Sequence, residues 1–186
     1  MSNLNFKTEP YYTYSDYLEW DTDIRYEMLN GVPYMMAAPS RAHQAVLGEL
    51  HRQLANFLRG KPCAVFVAPF DVRLNAFTRD DTVFHPDLLI VCDRKKLDDK
   101  SCKGAPDMVI EIISPSTKIY DCDLKLKTYL QSGVRECWLV DPDKRTVTVY
   151  FNDYGQIKPE DYNGGVIPVK ILEGFGIDID EVFAEI

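Results

Sequence analysis

The chain reads as an α/β protein: a mixed sheet flanked by helices. Three observations predict this. Apolar, β-branched runs of strand length recur along the chain, as in Leu88-Leu89-Ile90-Val91 and Met108-Val109-Ile110-Glu111-Ile112-Ile113. A long segment repeats apolar residues at three and four positions, the period of an amphipathic helix. The elements also interleave, as helix, hairpin, long helix, several strands, helix and two strands, which points to one layered sheet with helices against it.

The elements follow in order. Thr13-Tyr14-Ser15-Asp16 has the form of a capping box and opens a short helix. Residues 25–29 and 32–36 flank Asn30-Gly31, the strongest two-residue hairpin signal, and Pro33 puts its strand at an edge. Ser40 caps a helix over 41–59, with Leu47, Leu50, Leu54 and Leu58 on one face and Gly60 and Pro62 as its stop. Short strands are expected over 64–68 and 70–74, one strand over 82–91 and another over 108–113. Between the last two lies Asp93-Arg94-Lys95-Lys96-Leu97-Asp98-Asp99-Lys100, a charged surface loop or short helix. Ser114-Pro115-Ser116-Thr117 ends a strand. A helix over 119–132 then buries Cys122, Leu126, Tyr129 and Leu130 and stops at Gly133. Residues 136–140 and 146–151 form strands around an Asp141-Pro142-Asp143-Lys144 turn. The remainder is loop-rich, with a hairpin at Gly164-Gly165 and a final short helix from Asp178 or Asp180.

The length of 186 residues suits one domain, and the 46% hydrophobic and 27% charged fractions suit a soluble core. No apolar run approaches the roughly 20 residues of a membrane span, and Met1-Ser2-Asn3-Leu4-Asn5-Phe6-Lys7 lacks a signal-peptide core. The five cysteines, Cys63, Cys92, Cys102, Cys122 and Cys137, are odd in number and form no C-x-x-C pair, so free thiols in a reducing cytoplasm are the simplest reading. Their spacing and that of the three histidines argue against structural zinc. A net charge of −8 excludes a protein that coats nucleic acid by bulk charge, so any such contact is local, metal-dependent and salt-sensitive.

Asp87 and Glu111 carry the chemistry. Each is an acid at or inside an apolar strand, where lost hydration costs several kcal/mol unless a cation or hydrogen bonds replace it. Two such acids on neighbouring strands suggest a divalent metal, and magnesium needs only one or two carboxylates because it keeps several waters. A divalent ion can neutralise a phosphoryl oxygen and activate a water, as phosphodiester hydrolysis requires. The carbonyl of Ile112 offers another oxygen, and a lysine would hold the water or stabilise the transition state. The nearest lysine is Lys125, on the following helix beside its buried stripe. Ser114 and Ser116 sit in no G-x-S-x-G turn, which excludes that serine-nucleophile pattern.

In this order, Pro86-Asp87, the Val-Ile-Glu-Ile-Ile strand around Glu111, and Ser114-Pro115-Ser116-Thr117 resemble the Uma family of restriction endonucleases, within the PD-(D/E)XK nuclease superfamily. Asp121, Lys125, Tyr129, Gly133-Val134, Glu136, Trp138, Asp141-Pro142, Tyr26 to Gly31 and His43 extend the likeness over about 13–151. The resemblance implies the restriction-endonuclease-like fold and a Mg2+- or Mn2+-dependent nuclease acting on DNA. Carried over, Asp87 and Glu111 are metal ligands, Lys125 is a migrated catalytic lysine, Glu27 is the remaining acid and His43 an accessory group. The superfamily's usual lysine, two residues after the glutamate, is replaced by Ile113. Asp71 and His85 read as structural.

Two other readings stay open. The domain could keep the nuclease fold as a binding module for nucleic acid or protein without turnover, its carboxylates paired with basic side chains. The same acids could serve a metal hydrolase of another phosphate ester. The oligomeric state stays open; fold analogy allows a homodimer, for which Tyr11, Tyr12, Tyr34, Tyr150 and Phe151 could form an interface.

Overall fold

The computed structural model describes residues 11–113, 119–153 and 155–186. The short first helix is α1 (Tyr14–Tyr17), with the Thr13 amide donating to Asp16 Oδ2 at 2.8 Å. The hairpin comprises β1 (Tyr26–Leu29) and β2 (Val32–Met35). Asn30 and Gly31 both take positive φ, 49° and 77°, as a two-residue turn of this hand requires. The long helix is α2 (Arg41–Leu58), and Ser40 Oγ accepts from the His43 amide. It buries His43, Val46, Leu47, Leu50, Leu54 and Leu58, adding His43 and Val46 to the leucines expected. Each fully buried leucine there contributes about 2 kcal/mol.

Strands β3 (Ala64–Val67) and β4 (Asp71–Arg73) fall as expected. The single strand predicted over 82–91 is instead two, β5 (Val83–Phe84) and β6 (Leu88–Val91), and they belong to different sheets. Pro86 lacks the N–H a ladder needs, and the chain turns there from one sheet to the next. The charged segment holds a short 3-10 turn at Arg94–Lys96 and then β7 (Ser101–Lys103), a strand its polarity concealed. There follow β8 (Met108–Ile112), α3 (Ile119–Ser132), β9 (Glu136–Asp141) and β10 (Thr146–Asp153). The predicted break at Ser114 to Thr117 lies outside the described residues, as do residues 1–10 and the side chains of Asp121 and Cys122.

The tail departs further from expectation. Residues after Asp153 form β11 (Gln156–Tyr162), an exposed edge strand paired with β10 along its backbone and through Thr148 Oγ1 donating to Asp161 Oδ1. Gly164-Gly165 is not a hairpin turn between neighbours. Strand β12 (Val166–Pro168) pairs with β13 (Gly176–Asp178), and the Gly165 carbonyl accepts from Ile179. The last helix, α4 (Ile179–Val182), starts at the Asp178 cap as expected.

The sheets run β2-β1-β5-β4-β7 and β11-β10-β9-β8-β6-β3, with β12-β13 apart. Pro33 therefore sits on an edge strand. One core, with Leu50, Leu88, Ile90, Ile110 and Trp138, joins the six-stranded sheet to α2 and the C-terminal elements. A second, with Leu89, Val109, Phe84, Leu126 and Tyr129, lies on the opposite face, against α3 and the five-stranded sheet. Successive residues of β6 and β8 alternate between these cores. The mixed α/β class is thus observed, with the central sheet covered on both faces.

Two expectations are corrected. Cys63 and Cys92 form a disulfide. The register that pairs Ala64 with Val91 brings the preceding pair opposite, 29 residues apart in sequence. Free thiols are therefore not the rule, and their support for a reducing compartment falls away; Cys102 and Cys137 remain free and buried. Tyr12 is buried in a small core with Tyr14, Met28 and Val83, so it offers no interface. No helix among the described residues is long and apolar enough to cross a membrane.

Candidate functional site

Asp87 and Glu111 come together because of strand register. Antiparallel β6 and β8 pair Leu88 with Ile110, and one step further sets Asp87 opposite Glu111. Asp87 is placed at the sheet-to-sheet corner after Pro86. Its Oδ2 accepts from the Ile112 amide at 2.8 Å, and its Oδ1 lies 3.1 Å from His43 Nε2 on α2. His43 is buried, and its Nδ1 takes no hydrogen bond among the described residues.

Glu111 shares its strand face with Val109 and points toward α3. Its Oε1 accepts from the Tyr129 hydroxyl at 2.7 Å and from Lys125 Nζ at 2.7 Å. Both donors come from α3, four residues apart and so on one side of the helix. Lys125 Nζ also donates to Glu27 Oε1 at 2.8 Å, and that same oxygen accepts from the His85 amide at 2.8 Å. The lysine thus bridges an acid of the five-stranded sheet and an acid of the six-stranded one.

The expected site residues Asp87, Glu111, Lys125, Glu27 and His43 all line one cleft of about 1020 Å³. Sequence reading missed three supports. The Tyr129 hydroxyl was counted only as part of a buried stripe. The His85 amide fixes Glu27. Asp71 holds the His85 ring, with its Oδ1 at 2.8 Å from Nε2, while its Oδ2 accepts from the Tyr14 hydroxyl at 2.6 Å. No spacing rule finds these partners, since they meet across 14 to 58 residues of sequence.

Electrostatics follow from burial. The Glu111 carboxyl is raised to about 7: burial disfavours its charge, Lys125 opposes this, and Asp87 and Glu27 add to it. Lys125 is held well above the usual lysine range by Glu111 and Glu27, which outweigh its burial. Burial and the neighbouring Glu111 raise the Tyr129 phenol likewise, so it stays a donor.

Two glutamates share Lys125 and the third carboxylate, Asp87, faces His43, so acids outnumber lysines in the cleft. Glu111 Oε2 and Glu27 Oε2 take no hydrogen bond among the described residues. That donor set suits a hard divalent cation with oxygen ligands. The described residues contain no cluster of three His, Cys, Asp or Glu side chains placed to hold a metal, so Asp87 and Glu111 are the candidate protein ligands, with waters completing the shell.

Fold and site together define a class, the restriction-endonuclease-like proteins. A crystal structure of "a putative nuclease belonging to DUF820" from Anabaena variabilis has this architecture, with a TM-score of 0.77, 21% identity, and coverage of 93% of this chain and 98% of that one. The chain belongs to the Uma2 family, described as "Putative restriction endonuclease", which matches residues 14–180. It is also 26% identical over 127 residues to the uncharacterized protein slr1290 of Synechocystis sp. (strain ATCC 27184 / PCC 6803 / Kazusa). That match covers 67% of this chain and 65% of the relative's length.

Proposed function

We propose that the chain is a divalent-metal-dependent endonuclease that hydrolyses phosphodiester bonds in DNA. The observation that carries this reading is the uneven charge of the cleft: Glu27, Asp87 and Glu111 around the single amine of Lys125. A purely structural ion pair needs one acid per lysine. Here the surplus leaves carboxylate oxygens facing the cleft, at a cost in self-repulsion that a cation offsets.

Asp87 and Glu111 would hold Mg2+ or Mn2+, which when bound supplies Lewis acidity toward a phosphoryl oxygen and a water acidic enough to react near neutral pH. Lys125 directs its ammonium to the attacking water and to the charge that develops on the phosphorus oxygens. Glu27 fixes that ammonium from the other side, and the His85 amide fixes Glu27. Tyr129 orients Glu111, and His43 with the Ile112 amide orients Asp87.

Calorimetry with Mn2+ and Mg2+ on the wild type and Asp87→Ala, followed by DNA cleavage, tests this reading. Binding and cleavage that vanish together in the variant are expected. A wild type that binds neither ion would overturn it in favour of the second reading, a nuclease fold used for binding without turnover. The direct Lys125 contacts to both glutamates favour that alternative, since they already partner part of the negative charge.

A further inference from the structure

Tyr34 is the Cα partner of Glu27 across the β1–β2 hairpin, so its ring and the Glu27 carboxylate stand on one face of that ribbon. By the two-residue period Arg25 shares this face. All three line the cleft, and Tyr34 is 48% exposed on an edge strand. The cleft lining also includes the apolar Ile24, Met36 and, from the edge of the other sheet, Val67. An aromatic and apolar wall therefore abuts the carboxylate–lysine cluster.

The charges of the cleft are unlike those of a duplex-binding groove. Its described ionised residues are four acids, Asp23 among them, and two cations, Arg25 and Lys125. Lys125 is committed to Glu27 and Glu111, while Arg25 forms no ion pair among the described residues. Duplex DNA carries one negative charge per roughly 1.7 Å of axis and buries its bases, so its binders array many cations along phosphates. An unpaired strand has lower charge density and offers base faces that stack on aromatic rings.

Resting on the nuclease reading, we infer that the cleft accepts an unpaired DNA strand. A base stacks on Tyr34 next to the phosphate that is cut, and Arg25 meets a neighbouring phosphate. Tyr34 is then a specificity-determining residue that selects single strands and unpaired tails over blunt duplex.

The test compares wild type, Tyr34→Ala and Tyr34→Phe on one DNA sequence, as a single strand, a blunt duplex and a duplex with an unpaired tail. Initial cleavage rates are read in Mn2+, and binding by fluorescence anisotropy in Ca2+. Wild type should favour the single strand and the tail at least about tenfold, Tyr34→Ala should lose about tenfold on those substrates, and Tyr34→Phe should keep the preference. Equal cleavage of duplex and single strand, or an undiminished preference in Tyr34→Ala, overturns the inference and leaves the nuclease reading standing. Binding that prefers single strands through Tyr34 with no cleavage of any substrate overturns the nuclease reading alone. Absence of both binding and cleavage overturns both. A Tyr34→Ala chain that changes from dimer to monomer in sedimentation, with its strand preference intact, makes Tyr34 a contact between copies and overturns the inference as well.

Discussion

Lys125 Nζ lies 2.7 Å from Glu111 Oε1 and 2.8 Å from Glu27 Oε1, so one helix-borne amine ties together two strands of two different sheets. Replacing it by methionine leaves two partly buried carboxylates facing each other without their cation. Removing one partner of a buried ion pair costs about 3–5 kcal/mol. Urea unfolding of Lys125→Met near pH 8 should show a loss of that order, with cleavage abolished. Unchanged stability would mean that the lysine is solvated rather than bridging.

Asp87→Asn and Glu111→Gln keep the side-chain shapes and remove the charges. Each should lower Mn2+ affinity and reduce cleavage at least about 100-fold, the scale of losing one transition-state electrostatic contact. Circular dichroism should stay native, because the Ile112 amide and the Tyr129 hydroxyl can still donate to the remaining carbonyl oxygens.

Glu111 gives the fold a pH dependence of definite sign. Its folded pKa, about 7, is above the ordinary glutamate value of 4.5, so the folded chain retains a proton that the unfolded chain releases in between. In EDTA, stability from this group is present below pH 4.5, falls as pH rises through 7, and stays low above it. Mn2+ should restore the loss at pH 8 and bind more tightly there than at pH 6, since the ion displaces the proton. A melting-temperature series across this range checks it, and Glu111→Gln should flatten the slope.

Tyr129→Phe removes only the hydroxyl that holds Glu111 Oε1. A support behind a ligand is worth about 10–100-fold in metal affinity or activity, while the lost hydrogen bond costs about 1 kcal/mol of stability. Calorimetry alongside chemical unfolding separates the two. A large stability loss with normal affinity would make Tyr129 a packing residue alone.

The Cys63–Cys92 bridge closes a segment of 29 residues, which in the chain-entropy account stabilises by about 3.6 kcal/mol. Reduction, or the paired change Cys63→Ser with Cys92→Ser, should lower the melting temperature accordingly. Mass spectrometry of the alkylated, unreduced protein should find Cys63 and Cys92 unlabelled.

Periodicity made α2 and β8 legible because burial writes itself into residue type: leucines at helical spacing, and one acid in an apolar strand. Asp87 and Glu111 stood out by the same contrast, and Lys125 by a family likeness. The 82–91 run misled, because β5 and β6 are both buried and hydrophobicity does not record which sheet a strand joins. Strands β7 and β11 are polar and are defined by backbone pairing that side chains do not advertise. Cys63 with Cys92, and His85 with Glu27, meet only through register and folding, so no local pattern announces them.

The corner at His85-Pro86-Asp87 delivers the chain directly from the five-stranded sheet to the six-stranded one, with Glu27 anchored on the first and Glu111 on the second. The spacing of the acids is therefore a gauge of how the two layers sit against each other. A small tilt between them would alter ion affinity well before the chain loses its secondary structure. Trimming a side chain in the seam, such as Phe84 against Tyr129 and beneath Lys125, would reach the reacting centre as a change of geometry, with every carboxylate there left in place.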